Sequence, residues 1–175
     1  MIDALAGAPA HVLDVGTGSG RNARAIRAAG FDVDAIEDTH VASGLPCCAD
    51  TNYDAIISTH AFLHGDTSDA ARNVAAARAA LRAGGLLYAT FASYRDARFG
   101  KGTKVDAQTF SPHEGDETGV PHVYFEEAQL RALLQPAFEI DSIEEHDADT
   151  IVGRWAHVAP SGIVHWFVRA RAKDQ

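Results

Sequence analysis

The chain has 175 residues, 46% hydrophobic and 22% charged, with a formal net charge of −9; that length fits one domain, 1–175, with a sizeable core. Scattered basic residues and an acidic cluster over 139–149 argue against a protein that grips nucleic-acid phosphates and favour a small-molecule partner. No apolar run reaches the ~20 residues of a membrane span, and Met1-Ile2-Asp3-Ala4 lacks the basic-then-apolar layout of a secretion signal.

In chain order, His11–Val15 is a short apolar run stopped by glycine, which predicts a buried strand. A helix follows over 21–29, ended by Gly30, and then a second strand over Phe31–Glu37. The segment 38–52 is rich in Gly, Pro, Ser and Cys and reads as a loop. Its neighbouring cysteines, Cys47 and Cys48, are poorly placed for a mutual disulfide, so a reducing cytoplasm is the expected setting. A third strand is predicted over Tyr53–Ser58. An Ala-rich helix over 67–83 comes next, placing Ala71, Val74, Ala75, Arg78 and Leu81 at helical intervals, and a fourth strand covers Leu86–Ala92. Residues 93–124 read as a structureless lid or substrate loop. A helix near 125–135 leads to extended stretches at Phe138–Glu144 and Ile163–Arg171, separated by the turn Pro160-Ser161-Gly162. This alternation predicts an α/β fold with a doubly wound, mostly parallel sheet that ends in an antiparallel strand pair.

The turn Asp14-Val15-Gly16-Thr17-Gly18-Ser19-Gly20 carries the most chemistry. Glycines between strand and helix let a ligand approach the backbone, and the helix start offers unpaired amides. The spacing is Gly-x-Gly-x-Gly and not the G-x-G-x-x-G of dinucleotide sites. Asp14 would repel a pyrophosphate but suits a ligand bearing an ammonium and a sulfonium, such as S-adenosyl-L-methionine. About twenty residues on, Glu37 closes the second strand, where doubly wound folds hydrogen-bond ribose hydroxyls.

Asp14–Gly20 with Glu37 resembles motifs I and II of the class I S-adenosylmethionine-dependent methyltransferases. Leu45-Pro46 followed by Asn52–Ser58 resembles that family's segment entering its next strand. Leu81-Arg82-Ala83-Gly84-Gly85-Leu86-Leu87 resembles its L-x-P-G-G turn, with Ala83 in place of proline. The C-terminal Trp155-Ala156-His157 and His165-Trp166-Phe167 resemble the strand pair of small tellurite-resistance-like members. The resemblance implies transfer of a methyl group to a small-molecule acceptor. The rival reading is a cofactor-binding but catalytically degenerate scaffold or interaction protein; a nicotinamide oxidoreductase is disfavoured by Asp14 and the glycine spacing.

One departure stands out. Only 38–52 separates Glu37 from Tyr53, too little for the family's usual helix-strand unit. A six-stranded sheet is therefore expected, with the second strand as an open edge that a homodimer partner would cover.

The expected cofactor residues are Asp14, Gly16, Thr17, Gly18, Gly20, Arg21, Asn22, Glu37 and Thr59. His60 is the candidate general base, since its unperturbed pKa suits the task. His64, four residues on, shares a face with it if the segment is helical. His64, Tyr94, Arg98, His122 and Tyr124 are the expected substrate contacts, with Arg95 and Phe99 beside them. Trp155 and Trp166 read as packing residues. His157 and His165 lack a Cys or carboxylate partner at ligand spacing, so no metal is expected.

Overall fold

A computed structural model of the chain describes residues 10–37, 53–147 and 162–174. The expectations for Leu45-Pro46, Cys47-Cys48, the 38–52 loop, Trp155 and His157 fall outside them. Strand β1 (His11–Val15) is followed by helix α1 (Arg21–Ala28), β2 (Asp32–Ile36), β3 (Tyr53–Ser58) and α2 (Thr67–Ala80). Then come β4 (Leu81–Ser93), β5 (Thr103–Lys104), β6 (Thr109–Ser111), β7 (His122–Phe125), α3 (Glu127–Leu134), β8 (Phe138–Asp147) and β9 (Val164–Ala172).

Strands β2, β1, β3 and β4 run parallel in that spatial order. Val12, Leu13, Ala55 and Ile56 are fully buried, the pattern of central strands covered on both faces. Strand β9 then pairs antiparallel with β4, and β8 antiparallel with β9. The expected parallel sheet with an antiparallel end is present, and its architecture is a mixed α/β Rossmann-like one.

The six-strand expectation is not what the structure has. Nine strands are described, because 93–124 is not structureless. The last residues of β4 pair in parallel with β7, which carries β6 and β5 as an antiparallel extension. Strands of two to four residues set among turns show no alternation to read.

Helix α2 is started by Asp66, whose carboxylate accepts from the backbone N–H groups of Ser68 and Asp69 (2.8 and 3.0 Å), while Asp69 accepts from the Asp66 N–H. This reciprocal box satisfies donors that a helix start leaves open. Its buried residues include Ala70, Val74, Ala77 and Ala80, whereas Ala71 and Ala75 are exposed and Leu81 begins β4. An alanine-rich helix is apolar on several faces, so its spacing alone does not select the packed one.

Strand β4 begins earlier than expected. The register between Tyr53↔Leu81 and Ala55↔Leu86 absorbs extra residues at Gly84-Gly85. A Cβ on Gly85 would lie 2.9 Å from the Arg82 carbonyl oxygen, so this bulge requires glycine. One core layer joins Leu13, Phe62, Phe91, Phe125, Leu134 and Trp166; the other places Ala23 and Ile26 of α1 on Val12, Val33 and Leu86. No helix among the described residues is long and apolar enough to cross a membrane.

Candidate functional site

The glycine turn lies between β1 and α1. Gly16, Gly18 and Gly20 have φ of 73°, 48° and 71°, left-handed values that glycine adopts without the Cβ penalty. The Gly16 and Thr17 N–H groups both donate to the Ile36 carbonyl (3.0 and 3.1 Å). That pair clamps the end of β2 against the turn, with Glu37 exposed just beyond it.

Asp14 is fully buried. Its Oδ2 accepts from the Ala23 N–H (3.0 Å) and the Thr17 hydroxyl (2.9 Å). Gly20, at the N-cap of α1, has no side chain to offer, so Asp14 caps this helix from the preceding strand. Its Oδ1 is buried with no hydrogen-bond partner among the described residues. Burial pushes the carboxyl pKa up, against the bonds from Thr17 and Ala23. A buried acceptor left in this state costs about 1–3 kcal/mol, which a ligand donor would recover. Asn22 Nδ2 donates to Thr59 Oγ1 (2.9 Å), tying α1 to the end of β3. Arg21 and Gly18 lie on the exposed side of the turn.

Beyond Thr59 the chain enters a turn and not the helix that the His60–His64 spacing suggests. His60 has φ 68°, the one positive value at a non-glycine among the described residues. Such backbone costs on the order of 1–3 kcal/mol and persists only where its surroundings impose it. Here the His60 N–H donates to Thr90 Oγ1 (2.9 Å), and its Nε2 lies 3.0 Å from Glu117 Oε1. His60→Gly is expected to be about 1 kcal/mol more stable than His60→Ala, in thermal unfolding of the two variants. Equal stabilities would mean that the backbone is not strained.

Four expected residues converge on Glu117. His60 and His64 place Nε2 at 3.0 and 3.3 Å from Oε1, His122 Nε2 is 2.9 Å from Oε2, and Arg98 reaches Oε2 at 3.5 Å. Burial alone would raise the Glu117 carboxyl, but hydrogen bonds from His122, His60 and His64 hold it well below the usual carboxylate range. Burial pushes the His122 imidazole down, against its bond to Glu117. Burial likewise opposes the charge on Arg98, but the buried Asp96 carboxylate outweighs it through two bonds of 3.0 Å. His165, buried at the start of β9, has its ring 5.2 Å from that of His60; burial takes its pKa well below the usual histidine value.

The remaining expected substrate contacts form a separate aromatic group. Tyr94 stacks on Phe99 at 4.2 Å, and Phe99 meets Tyr124 and Phe110 edge-on or tilted. Tyr124 is buried, which pushes its hydroxyl up to about 12. Trp166 packs in the core and donates from Nε1 to the Phe125 carbonyl (2.9 Å). Sequence reasoning missed Glu117 and Asp96, acids in a polar loop that no spacing distinguishes from their neighbours. A cleft of 410 Å³ opens beside Thr59, lined also by Ser58, Thr90, Glu144, His146 and Phe167. That volume lies in the range of small-molecule sites.

Known proteins share this architecture. The Burkholderia thailandensis 1,6-didemethyltoxoflavin-N1-methyltransferase, solved with 1,6-didemethyltoxoflavin and S-adenosylhomocysteine, superposes with a TM-score of 0.69 at 19% identity, covering 99% of this chain and 75% of that one. A S-adenosylmethionine-dependent methyltransferase from Methanosarcina mazei gives 0.66 at 17% identity, over 99% and 97% of the two chains. TehB from Haemophilus influenzae gives 0.60 at 18%, over 99% and 61%. No curated protein sequence matches the chain. The sequence profile of the family described as "Methyltransferase domain" matches residues 2–171, nearly the whole length, and the chain belongs to that family.

Proposed function

We propose that the chain binds S-adenosyl-L-methionine at the β1–α1 turn and moves its methyl group to a small-molecule acceptor. The observation that carries this reading is the buried, unpartnered Oδ1 of Asp14 at a turn whose glycines keep side chains away. The ammonium end of the cofactor is a fitting donor for it. Gly16, Thr17, Gly18 and Gly20 would line the methionine part, with Arg21, Asn22 and Thr59 at its edges. Glu37, clamped beside the turn, would take the ribose hydroxyls. The bound cofactor supplies a methyl group on a sulfonium, an intrinsically good leaving group.

What this chain adds is mainly orientation. His60 is the proposed catalytic residue, since it follows Thr59 directly and is held in a strained backbone state. His64, Tyr94, Arg98, His122 and Tyr124 are the proposed acceptor-side residues. The Burkholderia thailandensis relative was solved with a small-molecule ligand beside S-adenosylhomocysteine, which supports an acceptor of that class. Calorimetric titration with S-adenosylmethionine tests the reading. Saturable binding is expected, and none with the folded protein would overturn it.

The finer setting belongs to the same proposal. A cytoplasmic protein suits the absence of any membrane-crossing helix among the described residues. Strand β2 is the terminal strand of the described sheet, and a second copy pairing along it would form a homodimer. Light scattering at high micromolar concentration should then report twice the chain mass; the mass of one chain would exclude the pairing.

A further inference from the structure

We propose that His60, His64, Glu117 and His122 form a binding site for one divalent first-row transition ion. The expectation of no metal weighed His157 and His165; the fold assembles a different set. One ligand atom from each of the four residues lies within 4.8 Å of all the others. In a tetrahedral site, donors about 2.1 Å from the ion lie about 3.4 Å apart, so the widest separation, at most 4.8 Å, closes by up to about 1.4 Å on binding. Three imidazole nitrogens with one carboxylate oxygen match zinc and its neighbours, and suit magnesium or calcium poorly.

The cluster is also built for this purpose in its surroundings. His122 is 1% exposed, and its Nδ1–H donates to the Val120 carbonyl at 2.8 Å. That bond fixes the tautomer, so the neutral ring presents the Nε2 lone pair. This nitrogen faces Glu117 Oε2 at 2.9 Å. In the ion-free protein a proton bridges that contact; a metal ion would displace the proton and take both atoms as ligands, and a carbonyl on the far ring nitrogen is the usual support of a metal-bound imidazole. His64 and His122 are brought together by backbone pairing, with Val123 N–H donating to Leu63 and Gly65 N–H to Pro121, both at 2.8 Å. Their rings meet edge-on at 4.9 Å. The strained φ of His60 turns its ring toward the same carboxylate.

The site adjoins Thr59, at the end of β3. Resting on the methyltransferase reading, the ion would sit on the acceptor side of the cofactor. It would favour acceptors that offer an oxygen or nitrogen lone pair to a metal, and His60 would act there as a ligand.

Cobalt(II), added to protein stripped with a chelator, is the probe. Its visible d–d absorption should saturate at one ion per chain and be displaced by zinc. Glu117→Gln and His64→Asn should each weaken binding by about tenfold or more, with circular dichroism unchanged. No saturable absorption from the intact protein, or unaltered binding in both folded variants, overturns the site. Titration of the same samples with S-adenosylmethionine separates the two claims. Cofactor binding without cobalt binding removes the ion alone. Cobalt binding without cofactor binding upholds the site and removes the methyltransferase reading.

Discussion

Asp14→Asn is expected to weaken S-adenosylmethionine binding by about 10- to 100-fold while leaving the fold in place. A hydrogen bond to a charged group is worth about 1.5–3 kcal/mol, which sets that range. The asparagine side chain keeps the size of the original and retains an oxygen to accept from the Ala23 N–H, so α1 keeps its cap. What it loses is the negative charge at the buried position of Oδ1. Asp14→Ala removes the cap as well and should lose a further ~1 kcal/mol in thermal unfolding. Calorimetry on the asparagine variant and unfolding on both separate the two roles. Unchanged affinity in Asp14→Asn would place the cofactor's ammonium elsewhere.

Phe91→Ala is expected to cost about 3–5 kcal/mol of stability, a large part of the ~5–15 kcal/mol that a domain of this kind commands. Phe91 is fully buried on β4 and meets Phe62 and Phe125 edge-on, with centroids at 5.9 and 5.8 Å. Three elements therefore lose packing around one cavity: the turn after β3, the C-terminal part of β4 and the end of β7. The measurement is the urea midpoint, with the slope of the transition unchanged. The loss should reach the site too. Thr90, the preceding residue, holds the His60 N–H, and Phe125 closes the strand that carries His122. A midpoint shift worth less than ~1 kcal/mol would show that the surrounding core collapses to fill the space.

How much was legible in the sequence depended on the local signal. Strands β1 and β3 fall at His11–Val15 and Tyr53–Ser58 as predicted, because each is a continuous apolar run bounded by turn residues. Helices α1 and α3 and the antiparallel β8–β9 pair were readable for similar reasons. The three short strands after β4 were not, since their pairing is decided by neighbours across the fold. The same division runs through the site. Asp14, the three glycines and Glu37 belong to two local motifs, and the backbone clamp on Ile36 brings them together. Glu117 has no local signature. It matters because a loop folds back across the ends of β3 and β7, and only tertiary structure places it among histidines from two separate segments.

The position of β9 bears on how the chain can fold. Among the described strands, β9 is the last in sequence, yet it lies between β4 and β8. Strand β8 has no other described partner, and most of that edge of β4 waits for the same insertion. Folding therefore cannot grow outward strand by strand in chain order. The parallel half can assemble early, but its apolar β4 edge stays open to other chains until a distant segment arrives. Such non-local closure slows folding and exposes intermediates to aggregation. During synthesis this interval would be the time when the chain most needs a chaperone.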